Sequence, residues 1–208
     1  MKKRTKIAAT LAALVLALAL AGCDNDEEPT EENGQADWSG FTMVDSVDKL
    51  DFKVGKYEYT EVSNIEYESI SMSMIGINMV EISSSGETTV TKISRAQKYN
   101  DDVSYNEAKK EIIGTKSFSY DDSTRTITKT YSEGNSTTFP TLSFALKELY
   151  FFPEDEINDN YSSTYTDKKL GNKDGVIQAS YTETHTRIEG TTKDTETYHT
   201  IITLTPQK

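Results

Sequence analysis

The chain has a single cysteine in 208 residues, Cys23, and only two histidines, His185 and His199. One thiol forms no disulfide within the chain, and two histidines fall short of the three or four convergent ligands that a zinc site needs. Bases are outnumbered too: 22 Lys and Arg stand against 34 Asp and Glu, for a formal net charge of -12. Non-specific nucleic-acid binding draws its affinity from phosphate neutralisation by a basic face, so this charge balance argues against a nucleic-acid partner. It disfavours a peripheral grip on anionic lipid head groups for the same reason. There is no Gly-x-Ser-x-Gly, no His-Glu-x-x-His and no phosphate-cradling glycine loop, so no common catalytic signature marks an enzyme. No fixed-period repeat stands out.

What is present begins with Lys2, Lys3, Arg4 and Lys6, followed by an uncharged run from Ile7 to Gly22. A cationic stub before a short apolar run is the layout of a secretory signal. The run is shorter than the about 20 apolar residues a membrane span requires. Leu20-Ala21-Gly22-Cys23 then resembles the lipobox of bacterial lipoproteins. That resemblance implies cleavage between Gly22 and Cys23 and attachment of diacylglycerol to the Cys23 sulfur. The new amino terminus would be acylated as well, with fatty chains such as palmitate. The partner so implied is the lipid bilayer, and the implied location is the bacterial cell envelope. Several acyl chains anchor where one chain, at about 0.8 kcal/mol per buried CH₂, holds only marginally.

After Cys23 come seven acids with no base among them: Asp24, Asp26, Glu27, Glu28, Glu31, Glu32 and Asp37. A like-charge segment of this kind has too little apolar surface to offset its ordering entropy, and its self-repulsion keeps it extended. The chain therefore divides into a signal at 1–22, a lipidated cysteine with an acidic tether at 23–37, and one domain at 38–208.

Tyrosine, threonine and isoleucine dominate that domain in short alternating runs separated by polar turn clusters, which predicts strands. "GKYEYTEV" sets Tyr57, Tyr59 and Glu61 against Glu58, Thr60 and Val62. "KSFSYDDSTRTITKTY" predicts a hairpin turning at Asp121 to Thr124, and "NKDG", Asn172 to Gly175, predicts another turn. Eight to ten strands at short spacing make an antiparallel meander, closed as a single barrel or stacked as a sandwich. Two stretches predict short helices. Ser104 with Glu107 reads as a capping box and Gly114 as a stop; Leu142, Ala145, Leu146, Leu149 and Tyr150 follow helical spacing up to Pro153. Helices flanking a meander resemble the layout of lipocalin-like barrels, the favoured fold class. No lipocalin motif matches residue by residue, and Trp38 with Gly40 only echoes, in reversed order, that family's Gly-x-Trp.

Candidate chemistry follows from register. The histidines sit on the two arms of the C-terminal hairpin, where directly opposed residues have position numbers of constant sum. A Gly190-Thr191 loop gives 381, pairing Ile177 with Leu204 and Arg187 with Asp194; a four-residue loop gives 383. Both sums are odd, so both registers put His185 and His199 on opposite faces, and no metal site is assigned. "PEDEINDN", Pro153 to Asn160, lacks the glycine and the alternation of a calcium loop. In "ESISMSMIGINMVEI", Ile70, Met72 and Met74 share one face while Ile75, Ile77 and Met79 share the other. This reads either as a central strand packed on both sides or as a barrel wall on which Ile70, Met72 and Met74 meet an apolar ligand. Phe151 and Phe152 are either core or a partner-facing patch.

The expectation is a membrane-anchored lipoprotein that binds a small apolar ligand or an envelope component without catalysis or cofactor. The alternatives are an interaction protein that presents its sheet face to a protein or glycan, and an envelope hydrolase using a carboxylate pair.

Overall fold

The computed structural model describes residues 36–67, 70–132, 135–158, 161–189 and 192–208. The segment read as a signal, Cys23 and nearly all of the segment read as an acidic tether lie outside the described residues. Gly34–Lys208 forms one compact unit.

The chain runs β1 (Thr42–Met43), a 3-10 turn (Val47–Lys49), β2 (Gly55–Tyr67), β3 (Ile70–Ile82), β4 (Thr88–Tyr99) and α1 (Asp102–Ile112). Then come β5 (Phe118–Asp121), β6 (Thr126–Thr130), β7 (Ser136–Phe139), α2 (Leu142–Glu148) and β8 (Glu156–Ile157), followed by three long strands. These are β9 (Tyr161–Lys173), β10 (Val176–Glu189) and β11 (Thr192–Pro206). Every pairing is antiparallel, in the order β1-β9-β10-β11-β2-β3-β4-β6-β5, with β7 on β4 and β8 on β9. The protein is mainly β with two short helices, as its alternating runs predict. Among the described residues the two end strands do not pair with each other, and an unclosed sheet of this order is compatible with a barrel-like or sandwich-like meander.

The C-terminal hairpin pairs Ile177 with Leu204, Ala179 with Ile202 and Arg187 with Asp194, the register of sum 381. "NKDG" closes the β9–β10 hairpin with Asp174 at φ 51 and Gly175 at φ 84. Positive φ at both central residues matches the right-handed twist of the flanking strands. The β5–β6 turn falls one residue later than expected: Asp121 still pairs with Thr126, and Arg125 carries the positive φ. Asp121 Oδ1 holds that turn by accepting from Ser123 N at 3.0 Å.

Both helices depart from their sequence cues in detail. The cap of α1 is Asp101, not Ser104: its carboxylate accepts from Ser104 N at 2.8 Å. A carboxylate three residues earlier satisfies the orphan amide that a Ser104 hydroxyl would have left unmet. Helix α2 starts at a Thr141 cap, which accepts from Phe144 N, and stops well before Pro153. Tyr150, at φ 51, reverses the chain; Tyr150 N donates to Lys147 O and Phe151 N to Leu146 O, both at 3.0 Å. This is a Schellman closure with tyrosine where glycine is usual, and its apolar contact is Phe151 against Leu146. Because the Tyr150 side chain is exposed, Tyr150→Gly is expected to leave stability unchanged or raise it by up to about 1 kcal/mol in urea unfolding.

One face of the sheet carries the core. There Tyr57, Tyr59, Val80, Ile82, Val90, Leu170, Ile177, Ala179, Ile202 and Leu204 pack under Leu50, Ala145, Leu146 and Phe151. At the other end of the same face Tyr99 and Ile127 pack under Tyr105 of α1, with Met72, Phe118 and Tyr120 around them. The face bearing both clusters is the inner face. Phe151 is wholly buried, whereas Phe152 is half-buried with Lys168 Nζ 4.3 Å over its ring.

Candidate binding site

The alternation of β2 places Tyr57, Tyr59, Glu61, Ser63 and Ile65 on the inner face, and strand register extends each position across the sheet. Glu61 opposes Gly76, Gly76 opposes Arg95, Arg95 opposes Lys129, and Lys129 opposes Phe118. Two residues along, the neighbouring row is Ser63, Met74, Gln97, Ile127 and Tyr120. These rows cross the gap between the two apolar clusters. A cavity of about 170 Å³ opens there, lined by Glu61, Met74, Arg95, Phe118, Lys129 and Tyr131 among others. For scale, an engineered apolar cavity of about 150 Å³ takes benzene.

Gly76 makes the room. A Cβ on it would sit 3.6 Å from Glu61 Oε2 and 3.9 Å from Arg95 Nε, so the two charged groups close over a position without a side chain. The Arg95 guanidinium lies 4.0 Å from Glu61 Oε2; the Glu61 side chain is 22% exposed and that of Arg95 52%. Burial holds the Glu61 carboxyl above its ordinary value of 4.5, with Arg95 opposing and Glu183 reinforcing the shift. Lys129 Nζ lies 5.8 Å from the Phe118 ring centre and 5.2 Å from that of Tyr131. Among the described residues it forms no ion pair.

The rest of the inner face satisfies itself. Tyr59 OH donates to Leu149 O at 3.0 Å and Tyr181 OH to Tyr150 O at 3.1 Å, tying the end of α2 to β2 and β10. Tyr165 OH donates to Glu183 Oε1 at 3.2 Å, Tyr198 OH donates to Glu196, and the Ser63 and Thr200 hydroxyls lie 2.9 Å apart. Burial, reinforced by nearby glutamates, raises the phenols of Tyr59, Tyr165, Tyr181 and Tyr198, which keeps them protonated donors.

Of the residues expected to meet a ligand, Met74 lines the cavity, and Gln97 Nε2 lies 3.9 Å from its sulfur. Met72 packs instead against the Tyr99–Tyr105–Ile127 cluster, and Ile70 pairs with Tyr67 at the start of β3. The opposite face of β3 belongs to neither core cluster: Ile77 is buried, while Ile75 and Met79 are half-buried. His185 is on the inner face, edge-on to Tyr161, and His199 is on the outer face, its Nδ1 3.1 Å from the Thr182 hydroxyl. Among the described residues no three His, Cys, Asp or Glu side chains converge as a metal site would require. In the acidic loop Asp155 Oδ1 accepts from Tyr165 N at 2.8 Å, and Tyr161 OH donates to Glu156.

The Arg95–Lys129 pair is what sequence reasoning missed. The residues lie 34 positions apart, and only strand pairing brings them together. The available signal was Glu61, an acid on the aromatic side of an alternating strand.

Two consequences can be measured. Because its carboxyl is raised, native Glu61 keeps its proton to higher pH than the unfolded chain does, so stability is lost as pH rises from about 4.5 through the raised value. Glu61→Gln removes that loss. Variant stability minus wild-type stability should climb across this window and level off above it, as followed by urea unfolding at a series of pH values. A flat difference would mean that Glu61 is not held protonated by the fold.

Lys129→Gln removes a directly opposed like charge, worth about 0.2–1 kcal/mol, but also a cation–π contact of about 0.5–1 kcal/mol. These nearly cancel, and the variant should unfold within about 1 kcal/mol of wild type.

No protein-family model and no curated protein matches the chain, so the chemistry of the inner face is the guide to its function.

Proposed function

We propose that the protein is a bacterial lipoprotein, anchored in the cell envelope through acylated Cys23, whose β-domain acts by binding a small ligand on its inner face. The observation that carries the binding reading is the cavity at Met74, where apolar and aromatic walls meet the charged groups of Glu61, Arg95 and Lys129. Ligand sites combine apolar lining with a few placed polar groups, and this one does so in a gap that neither helix covers. The tyrosines of the long strands, Tyr57, Tyr59, Tyr165, Tyr181 and Tyr198, share that inner face by register rather than forming an outward ladder. The lipobox at Leu20 to Cys23 and the acidic stretch behind it support the anchor and tether.

Native mass spectrometry of the protein, purified gently from its own host, tests the reading. A co-purifying small molecule that is lost on denaturation is the expected result. A bare polypeptide mass favours the second reading, a contact surface for a protein or glycan. That reading draws on the outer face, where Ile201, Val62, Ile75 and Ala96 are direct cross-strand neighbours in one half-buried row over four strands.

A further inference from the structure

Arg95 and Lys129 face each other directly across β4 and β6 on the inner face of a strongly acidic protein. Like charges directly opposed across two strands repel, and a fold with 34 acids to choose from places none opposite either one. The nearest acid to Arg95, Glu61, stands off at 4.0 Å, and burial disfavours its charged form. Lys129 Nζ lies over the Phe118 and Tyr131 rings and, among the described residues, forms no ion pair. Guanidinium and ammonium therefore both retain donors toward the same cavity, whose other walls include Met74, Phe118, Ile127 and Tyr131 together with the polar Glu61 and Gln97. Two opposed cations on the wall of a small recess that also carries aliphatic and aromatic side chains suit a ligand with one anionic group and a compact apolar body.

We infer that the cavity takes a small amphipathic anion, its carboxylate bridging Arg95 and Lys129 and its apolar part lying between Met74 and the rings of Phe118 and Tyr131. The inference rests on the binding function proposed above and names the ligand class for that same site. A bridging carboxylate cancels the cross-strand repulsion and receives charge-assisted hydrogen bonds from both cations. A one-ring acid matches the cavity's size. Glu61 competes with the ligand for Arg95, so neutralising Glu61 should tighten binding.

The test uses the full-length chain in nanodiscs of phosphatidylcholine, which carries no net charge, with ¹⁹F NMR of two probes, 4-fluorophenylacetate and 4-fluorophenylacetamide. The acid is expected to bind at least about tenfold more tightly than the amide, as charge-assisted bonds imply. Lys129→Gln and Arg95→Gln should each weaken the acid several-fold, part of the way toward the amide, and leave the amide unchanged. Glu61→Gln should strengthen the acid alone. Inorganic phosphate should compete poorly, because it lacks the apolar body.

Equal affinity for acid and amide overturns the anion assignment while leaving the pocket standing. Acid binding that ignores both cation substitutions overturns the site. Phosphate competing as well as the aryl acid overturns the amphipathic ligand in favour of a bare anion site. Failure of both probes to bind up to about 10 mM, a concentration weaker than any useful specific site, overturns the inference; a small molecule retained in native mass spectra would still leave the binding function intact.

Discussion

Phe151→Ala should destabilise the protein by about 3–5 kcal/mol, the range for truncating a fully buried phenylalanine. The side chain is wholly buried and belongs to the main core cluster, with Ala145, Leu146, Leu170 and Ile177. It is also the apolar partner in the closure of α2: its amide donates to Leu146 O while its ring packs on that same turn. Truncation leaves a cavity and loosens the segment that Tyr59 and Tyr181 tie to β2 and β10. For a domain of this size each kcal/mol moves the thermal midpoint by about 2–4 °C, so a drop on the order of 10 °C is expected by calorimetry or circular dichroism. A change below about 1 kcal/mol in urea unfolding would show that the helix and its closing segment are not integral to the core.

Cys23→Ala should abolish lipid attachment and release the protein from the membrane, or leave the precursor uncut. Mass spectrometry of the mature chain is the direct measurement: wild type should carry diacylglycerol and acyl mass on a polypeptide starting at Cys23, and the variant neither. Anchoring is a cooperative sum over chains, since a single fatty chain binds membranes only marginally and several are effectively permanent. Loss of the one sulfur proposed to hold two of them should therefore move the protein fully in a fractionation experiment. Unchanged membrane retention, with no lipid mass on wild type, would sink the anchor. No helix among the described residues is long and apolar enough to cross a bilayer in its place.

Much of the architecture could be read residue by residue because antiparallel hairpins are local. The separation of His185 from His199 follows from side-chain period in either of the two registers the loop allows, and the structure takes the one that pairs Ile177 with Leu204. Helix α2 was visible in the spacing of Ala145 and Leu146, both buried. Its ending was not, because a tyrosine at positive φ is held there by the hydrogen bonds of its own carbonyl and its neighbour's, which no local propensity encodes. The α1 cap shows the opposite limit: Asp101 and Ser104 are both good capping residues, and only the observed backbone chose between them.

The sequence by itself determined the β-rich class, the opposite faces of the two histidines, the single thiol and the acidic charge balance, since each depends on composition or on the two-residue period of a strand. The tertiary structure alone decided which residues share a site. Glu61, Gly76, Arg95 and Lys129 come from four strands, and their row exists only because β2, β3, β4 and β6 pair in one register. Of the methionines on one face of β3, it set Met74 at the cavity and Met72 in a core cluster. Alternation assigns a side chain to a face, but the distance along the sheet at which a helix covers that face, or leaves it open, is set by packing between elements far apart in the chain.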